Sequence, residues 1–248
     1  MPKFVRSVGE ACILLVRSAA YFPHVVLNGD ARRDLFRHLY ATGIRTLPVV
    51  TVVSLFMGMI LSLQVGLELS KFNQETYLGA AVMLTLLREM AAFCCGICLA
   101  ACVGSAIAAE LGTMKVNDEI DALLIMDIPP VRFLAAPRIL ALVLMAPVIA
   151  FYCVIMGAIG GGIVGETQLN VDFQQYMSSA LWMSQEKDLF VGLAKSSIFG
   201  LLIGVISACE GFGTSIGATG VGKSTQRAVI VSFLAILISG YIVTRLFY

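Results

Sequence analysis

Long apolar stretches recur along the chain, and most polar residues lie between them. Five stretches are long enough to form a helix that crosses the roughly 30 Å hydrocarbon core of a bilayer. They cover residues 47–67, 78–109, 139–165, 189–209 and 228–244. This pattern predicts an all-α polytopic membrane protein, with five transmembrane helices forming one domain over residues 47–248.

The composition excludes a soluble globular protein. Of the 248 residues, 58% are hydrophobic and 13% are charged, and the mean hydropathy is +0.90. A soluble domain carries about 25% charged residues, which it needs to cover its surface. The net charge of +1 provides no basic excess for nucleic acid, so no nucleic-acid partner is expected.

The distribution of lysine and arginine predicts the topology. Twelve of these residues lie before the first span, between spans two and three, and between spans four and five, whereas three lie in the alternate segments. Basic residues are concentrated on the cytoplasmic side of membrane proteins. The N-terminus is therefore expected in the cytoplasm and the C-terminus in the periplasm of a bacterial inner membrane.

Residues 1–46 are expected to form interfacial or elbow helices on the cytoplasmic side. Apolar and basic residues alternate there, at Phe4, Val5, Val8, Ile13, Leu14 and Leu15, and at Lys3, Arg6 and Arg17. Such a mixture favours a helix along the membrane surface, and residues 35–44 look like a second one. The alternative is a solvated helix that contacts a partner. The apolar run 11–16 is too short for a signal peptide.

Three charged residues interrupt the spans. Arg88 and Glu89 lie in the second span and Lys195 in the fourth, all at a similar depth in the predicted outer half of the membrane. A charge at the centre of a span costs about 2.5–3.5 kcal/mol on insertion scales, so such residues usually have a function or a partner. One interpretation is an ion pair of Glu89 with Lys195 or Arg88. The other is a pocket for an anionic head group, since two cations face one carboxylate.

The longest cytoplasmic connection contains an amphipathic segment at residues 115–126. Its apolar members Val116, Ile120, Leu123 and Leu124 recur at helical spacing, and the acids Asp118, Glu119 and Asp121 lie on the other side. Asn117 is the expected N-cap, and two prolines follow at 129 and 130. The pattern predicts a helix that docks on a partner, or alternatively a solvated linker.

A nucleotide-binding pattern near the C-terminus is interpreted as coincidental. Residues 217–224 satisfy G-x-x-x-x-G-K-[ST], but that loop needs an α/β domain around it, and only 24 residues follow Ser224. A Gly-rich turn between two spans is expected instead. A membrane-bound NTPase that uses Gly217 to Ser224 is the rival hypothesis.

Neither the cysteines nor the glycines indicate a reaction. Cys95 and Cys98 form a C-x-x-C in an apolar run, where cysteine behaves as a small apolar residue. We therefore expect reduced cysteines, no metal site and no catalytic residue. Glycines at 157, 161 and 165, and at 200 and 204, permit close helix contact, either within the chain or between two copies.

Several of these segments together resemble the MlaE-type permease family. The segments are Leu86-Leu-Arg-Glu89, the run from Val103 to Val116 with Glu110-Leu-Gly-Thr-Met-Lys115, Glu119-Ile-Asp-Ala-Leu123, Pro137-Arg138 and residues 220–229. The similarity covers about residue 47 to the C-terminus. It departs at Met90-Ala-Ala-Phe93 in place of Leu-Gly-Pro, at Cys102 in place of an arginine, and at Gly240 in place of an aspartate.

The resemblance implies the permease subunit of an ABC transporter that moves phospholipids between the inner and outer membranes. It further implies a homodimer, two ATPase subunits and a lipid-conducting MCE-domain protein, with ATP bound and hydrolysed by the partner and no cofactor in this chain. Arg88, Glu89 and Lys195 would bind the lipid. Lys115, Asp118, Glu119, Ile120, Asp121 and Leu123 would couple to the ATPase. The alternative function is an ion- or proton-coupled carrier independent of ATP.

Overall fold

A computed structural model describes residues 9, 13–16, 18, 21–22, 29–215 and 217–247, and this part of the chain contains helices and no strand. We number the principal helices α1 to α8. They are α1 Gly29–Gly43, α2 Leu47–Ser70, α3 Glu75–Val116, α4 Glu119–Ile125, α5 Val131–Gln168, α6 Phe173–Met183, α7 Glu186–Phe212 and α8 Ala218–Phe247. The all-α prediction is confirmed.

Five helical segments are long and apolar enough to cross a membrane, and they contain α2, α3, α5, α7 and α8. The chain is therefore a multi-pass membrane protein, as predicted. The helices extend beyond the predicted spans because the sequence count stopped at charged residues, whereas a helix continues into the interface as long as its backbone bonds are satisfied. α8 shows this most clearly, since it begins ten residues before the predicted span.

Contacts divide the described residues into two compact units. The first contains residues of the ranges 1–46, 96–145 and 197–239, and the second contains 47–95, 146–196 and 240–248. In the first unit, Leu35 of α1 packs against Ala136, Leu140 and Ala141 of α5. The predicted helix over residues 35–44 is thus part of α1, whereas most of the surface helix predicted at residues 3–17 lies outside the described residues.

In the second unit, the start of α3 packs on α6. Leu78, Val82 and Leu86 form a buried cluster with Val171 and Tyr176. Asp172 is the N-cap of α6, and its carboxylate accepts hydrogen bonds from the backbone N–H groups of Gln174 and Gln175. Such an N-cap satisfies donors that the first turn of a helix leaves unpaired. α6 is therefore held at both its first turn and its buried face.

Glycines of the second unit allow helices to approach at backbone distance. A Cβ on Gly58 of α2 would lie 1.9 Å from the carbonyl oxygen of Gly157 in α5, and one on Gly161 would lie 2.4 Å from the hydroxyl of Tyr176. Neither space can hold a side-chain carbon. Gly157 and Gly161 therefore serve packing within the chain, one of the two roles that the sequence left open.

Candidate functional site

The three intramembrane charges predicted from the sequence lie together in the second unit. Lys195 of α7 is fully buried, and its ammonium group donates to three oxygens. These are Oε1 of Glu89 at 2.9 Å, the backbone carbonyl of Arg88 at 2.8 Å and Oγ1 of Thr244 at 2.9 Å. An ammonium group has three protons to donate, so every donor of Lys195 has an acceptor.

Arg88 forms a second ion pair, with a residue that the sequence analysis did not select. Its Nε donates to Oδ1 of Asp188 at 3.0 Å, and a terminal nitrogen of its guanidinium lies 3.4 Å from Oδ2. The Asp188 side chain is only 1% exposed, whereas that of Arg88 is 36% exposed. A two-point contact between guanidinium and carboxylate restricts the orientation of the guanidinium as well as its position.

Asp188 changes the charge of the cluster that the sequence predicted. We expected two cations against one carboxylate, but the structure adds a second buried carboxylate, so Arg88 and Lys195 are balanced by Glu89 and Asp188. Asp188 lies one residue before the predicted fourth span, which begins at residue 189, so the search for charges within the spans did not include it. Because Asp188 lies 100 residues from Arg88 in the sequence, no local pattern indicated that the two would pair. Thr244, 49 residues from Lys195, was missed for the same reason.

A π-helical turn at Leu86–Met90 places the Arg88 carbonyl in this cluster. A π-turn bonds over five residues instead of four and interrupts the regular bonding of an α-helix. Because the regular bonding is interrupted here, a carbonyl in the middle of the helix can accept a hydrogen bond from Lys195. Such turns occur frequently at functional sites. We refer to Arg88, Glu89, Asp188, Lys195 and Thr244 as the polar cluster.

Arg88 and Glu89 are the exposed charged residues of the polar cluster, and Lys195 is buried. Lys195 has no exposed surface, whereas the Glu89 side chain is 39% exposed and that of Arg88 is similarly accessible. A ligand would therefore meet the guanidinium and the Glu89 carboxylate first. Lys195 and Asp188 hold these two groups in place from the buried side.

The predicted coupling helix at residues 115–126 is divided between the end of α3 and α4. Val116 still belongs to α3, and the backbone breaks at Asp118, whose φ of 58° lies in the left-handed region. Asp118, not Asn117, precedes α4. The break occurs because a short polar side chain tolerates this backbone conformation. Lys115 pairs with Asp121 across the break, at 2.9 Å from Nζ to Oδ1.

α4 presents apolar side chains on its exposed side. Ile120 is buried, but Leu124, Ile125 and Met126 are well exposed, and Ile125 reaches 87%. Glu119, the first residue of α4, is also exposed. Neighbouring apolar side chains that remain exposed are typical of a protein interaction site.

The nucleotide-binding pattern does not form a phosphate loop. Residues 218–224 are the first turns of α8, so the Gly-rich turn that we expected is wrong as well. Ser224 donates to the carbonyl of Val221 and bonds with the hydroxyl of Thr214. A phosphate loop needs backbone N–H groups that converge on the ligand from a loop between a strand and a helix. This geometry contradicts the NTPase hypothesis.

The cysteines named in the sequence analysis contribute to packing. Cys94, Cys95 and Cys98 are buried thiols without a disulfide, and Cys95 Sγ lies 3.3 Å from the carbonyl oxygen of Ala146. A thiol that donates weakly to a helix carbonyl needs no further partner.

Comparison with known proteins agrees with the sequence motifs. The family model described as Permease MlaE matches residues 35–246. The chain is 34% identical over 251 residues to a probable ABC transporter permease protein of Rickettsia felis, with 99% of this chain and 94% of the relative covered. It is 32% identical over 227 residues to a probable ABC transporter permease protein of Synechocystis, covering 92% and 86%.

A relative from Haemophilus influenzae has a more specific name. It is called intermembrane phospholipid transport system permease protein MlaE, and it is 29% identical over 251 residues, with 99% of this chain and 93% of the relative covered. The family match extends over most of the chain and includes the segments around Arg88, Glu110 and Lys195. The chain belongs to the MlaE permease family.

Proposed function

We propose that this chain is the permease subunit of an ABC transporter that moves phospholipids between the inner and outer membranes. The observation that carries the proposal is the family match over residues 35–246, together with relatives named as ABC transporter permeases and as a phospholipid transport permease. The five apolar helices supply the membrane-embedded part that this function requires.

A separate ATPase supplies the energy in this proposal. The chain offers no phosphate loop at residues 217–224, and α4 offers an exposed apolar surface at Leu124, Ile125 and Met126. We assign docking on the ATPase to α4. Lys115, one of the residues predicted to couple to the ATPase, pairs with Asp121, and in this proposal it acts by holding α4 against the end of α3.

The remaining assembly follows from the resemblance. We propose a homodimer with two ATPase subunits, an MCE-domain protein on the periplasmic side, and no cofactor in this chain. The bias of lysine and arginine places the N-terminus in the cytoplasm and the C-terminus in the periplasm of the bacterial inner membrane. Residues 1–46 would lie on the cytoplasmic surface and residues 47–248 would form the permease domain.

The polar cluster is assigned to the lipid head group. The Arg88 guanidinium attracts the phosphate, since guanidinium groups match phosphate oxygens in charge and geometry. Glu89, which is similarly exposed, can accept from an ammonium head group. Because Asp188 and Glu89 balance the two cations, the cluster binds an anion only weakly. Weak binding suits transport, since the site must release its ligand as well as bind it.

Lys195 and Asp188 act as positioning residues in this mechanism. Lys195 ties Glu89 to the π-turn backbone and to Thr244, and Asp188 orients the Arg88 guanidinium. A conformational change driven by the ATPase would alter the exposure of Arg88 and Glu89. A bound lipid would thereby be admitted or expelled without any covalent chemistry in this chain.

The test is ATP-driven transfer of a fluorescent phospholipid by the reconstituted complex. Arg88→Gln should reduce the transfer rate by about tenfold, the factor that corresponds to about 1.4 kcal/mol. Lys71→Gln is the matched control, because Lys71 pairs with Glu68 on an exposed surface. Equal rates for both variants would remove Arg88 from the lipid site. Gradient-driven ion flux without the ATPase would instead support the carrier hypothesis.

A further inference from the structure

The first unit contains a cavity that the proposed function does not use. Its volume is about 300 Å³, and it is lined by the second half of α1 and the turn after it, by the second half of α3 and by the start of α5. Ionisable side chains from all three places line it. They are His38, Arg45, Cys102, Glu110 and Arg138.

Arg138 is built into the wall of the cavity. Its side chain is only 11% exposed. One terminal nitrogen donates to the carbonyl of Leu134 at 2.7 Å, and the other donates to Glu110 at 3.2 Å. Its Nε is buried and has no hydrogen-bond partner among the described residues. Because this nitrogen has no accessible surface, a ligand in the cavity would not reach it. Each terminal nitrogen carries a second proton, so Arg138 retains donors for a ligand in the cavity.

Arg45 adds a second positive charge to the same cavity. It lies between α1 and α2 and is exposed, and no hydrogen bond or ion pair of Arg45 occurs within the described part of the chain. Glu110 is the carboxylate that lines the cavity, and it already pairs with Arg138. One cation therefore remains in surplus, in contrast to the balanced polar cluster.

The local backbone and the apolar wall narrow the type of ligand. Cys102 belongs to a second π-helical turn, Ala100–Gly104, and Arg138 follows a third, Val131–Ala135; such turns are frequent at functional sites. The rest of the wall is largely apolar, with Ala41, Ala106 and Ile107. Two guanidinium groups beside an apolar wall suit a phosphate group attached to an apolar body.

We infer that this cavity binds the phosphate group of a phospholipid through Arg45 and Arg138. Free phosphate shares the same chemistry and is the other source of such a ligand. The site has no residue in common with the polar cluster, so lipid transfer through Arg88 can fail while binding here persists, and the reverse also holds. The orientation proposed above would place the cavity toward the cytoplasmic leaflet, but binding does not depend on it.

The experiment measures binding of dihexanoyl phosphatidylglycerol to the full-length chain in lipid-depleted detergent by native mass spectrometry. Arg45→Gln should weaken the apparent affinity by about tenfold, the factor that corresponds to about 1.4 kcal/mol. Arg33→Gln is the matched control, because Arg33 is an exposed arginine on α1 that does not line the cavity. Retained thermal stability shows that each variant is folded.

A rescue variant separates charge in the cavity from a general loss of affinity. Cys102 lines the same cavity, so Arg45→Gln combined with Cys102→Arg should recover most of the lost affinity. Glu110→Gln should strengthen binding, since it removes the competing carboxylate. These opposite signs are not expected of a purely structural effect.

Competitors identify the source of the phosphate. Displacement of the lipid by inorganic phosphate at equal concentration would support the anion site and assign it to free phosphate, whereas lipid binding that resists inorganic phosphate supports a lipid site. Equal affinity of the Arg45→Gln and Arg33→Gln variants would overturn the inference. So would equally tight binding of dihexanoylglycerol, which lacks the phosphate.

Discussion

Replacing Lys195 with methionine keeps an unbranched side chain of similar length and removes the buried ammonium group. Glu89, the Arg88 carbonyl and Thr244 then each lose the hydrogen bond that Lys195 donates, whereas Glu89 keeps the one from the Thr244 hydroxyl. This variant therefore tests whether the polar cluster is held together from Lys195, as its burial indicates.

The expected loss can be worked out acceptor by acceptor. Removing one member of a buried ion pair costs about 3–5 kcal/mol because the other charge is left unpaired. Glu89 is 39% exposed and can be rehydrated, which lowers its share to about 1 kcal/mol. The Arg88 carbonyl loses a hydrogen bond from a charged donor, which adds about 1–3 kcal/mol. Thr244 still donates to the carbonyl of Gly240. The sum is about 2–4 kcal/mol.

The assay is thermal unfolding of the purified chain in detergent. For a protein of this size, a loss of about 2–4 kcal/mol lowers Tm by roughly 4–16 °C. Adding Glu89→Gln should recover up to about 1 kcal/mol, because the carboxylate left without its partner is then neutral. Lys71→Met, which disrupts an exposed pair with Glu68, should change Tm by about 2 °C or less.

Two results would refute this reasoning. A Tm for Lys195→Met equal to that of Lys71→Met would show that the three hydrogen bonds do not stabilise the fold. Strictly additive losses for Lys195→Met and Glu89→Gln would show that the two residues are not coupled, since paired residues give non-additive double-variant cycles.

Three further predictions concern packing, docking and charge. Gly58→Ala should destabilise the chain by about 1–3 kcal/mol, because its new carbon meets a backbone oxygen. Gly222→Ala, whose new carbon meets nothing within 4 Å, should instead stabilise α8 by about 0.5–1 kcal/mol. Thermal unfolding distinguishes the two signs. Ile125→Ser should weaken the affinity for the ATPase by about tenfold, measured by co-purification, without changing Tm. The control variant Ile125→Val should keep an affinity near that of the wild type. An unchanged yield of complex for Ile125→Ser would exclude α4 as the docking element. Asp188→Asn removes one of the two balancing carboxylates, so transfer of anionic lipids relative to zwitterionic ones should rise by up to about tenfold; an unchanged ratio of transfer rates would contradict the role of charge balance.

The local sequence pattern was sufficient for the spans and for three of the four charged residues of the polar cluster. Lipid cannot satisfy backbone N–H and C=O groups, so a long apolar stretch has to form a helix. A charge within such a stretch is costly enough to identify a site without any knowledge of the fold. Arg88, Glu89 and Lys195 were selected on this basis, and the structure brings them together.

Helix boundaries and partners could not be read in the same way. The break at Asp118 and the early start of α8 depend on the backbone conformation that a few residues adopt next to packed neighbours. Residues 217–224 match the sequence pattern of a phosphate loop, but residues 218–224 are helical. A short pattern does not determine whether its backbone is a loop or a helix.

The sequence by itself determined that this chain crosses the membrane five times and which charges lie inside it, because the bilayer enforces both by length and by the cost of burying charge. Only the tertiary structure showed that Asp188 neutralises Arg88 and that Lys195 is fully enclosed, while Arg45 and Arg138 share a cavity with a surplus of positive charge. These partners are far apart along the chain. Their meeting depends on helix rotation and on π-turns, neither of which has a signal in the local spacing of residues.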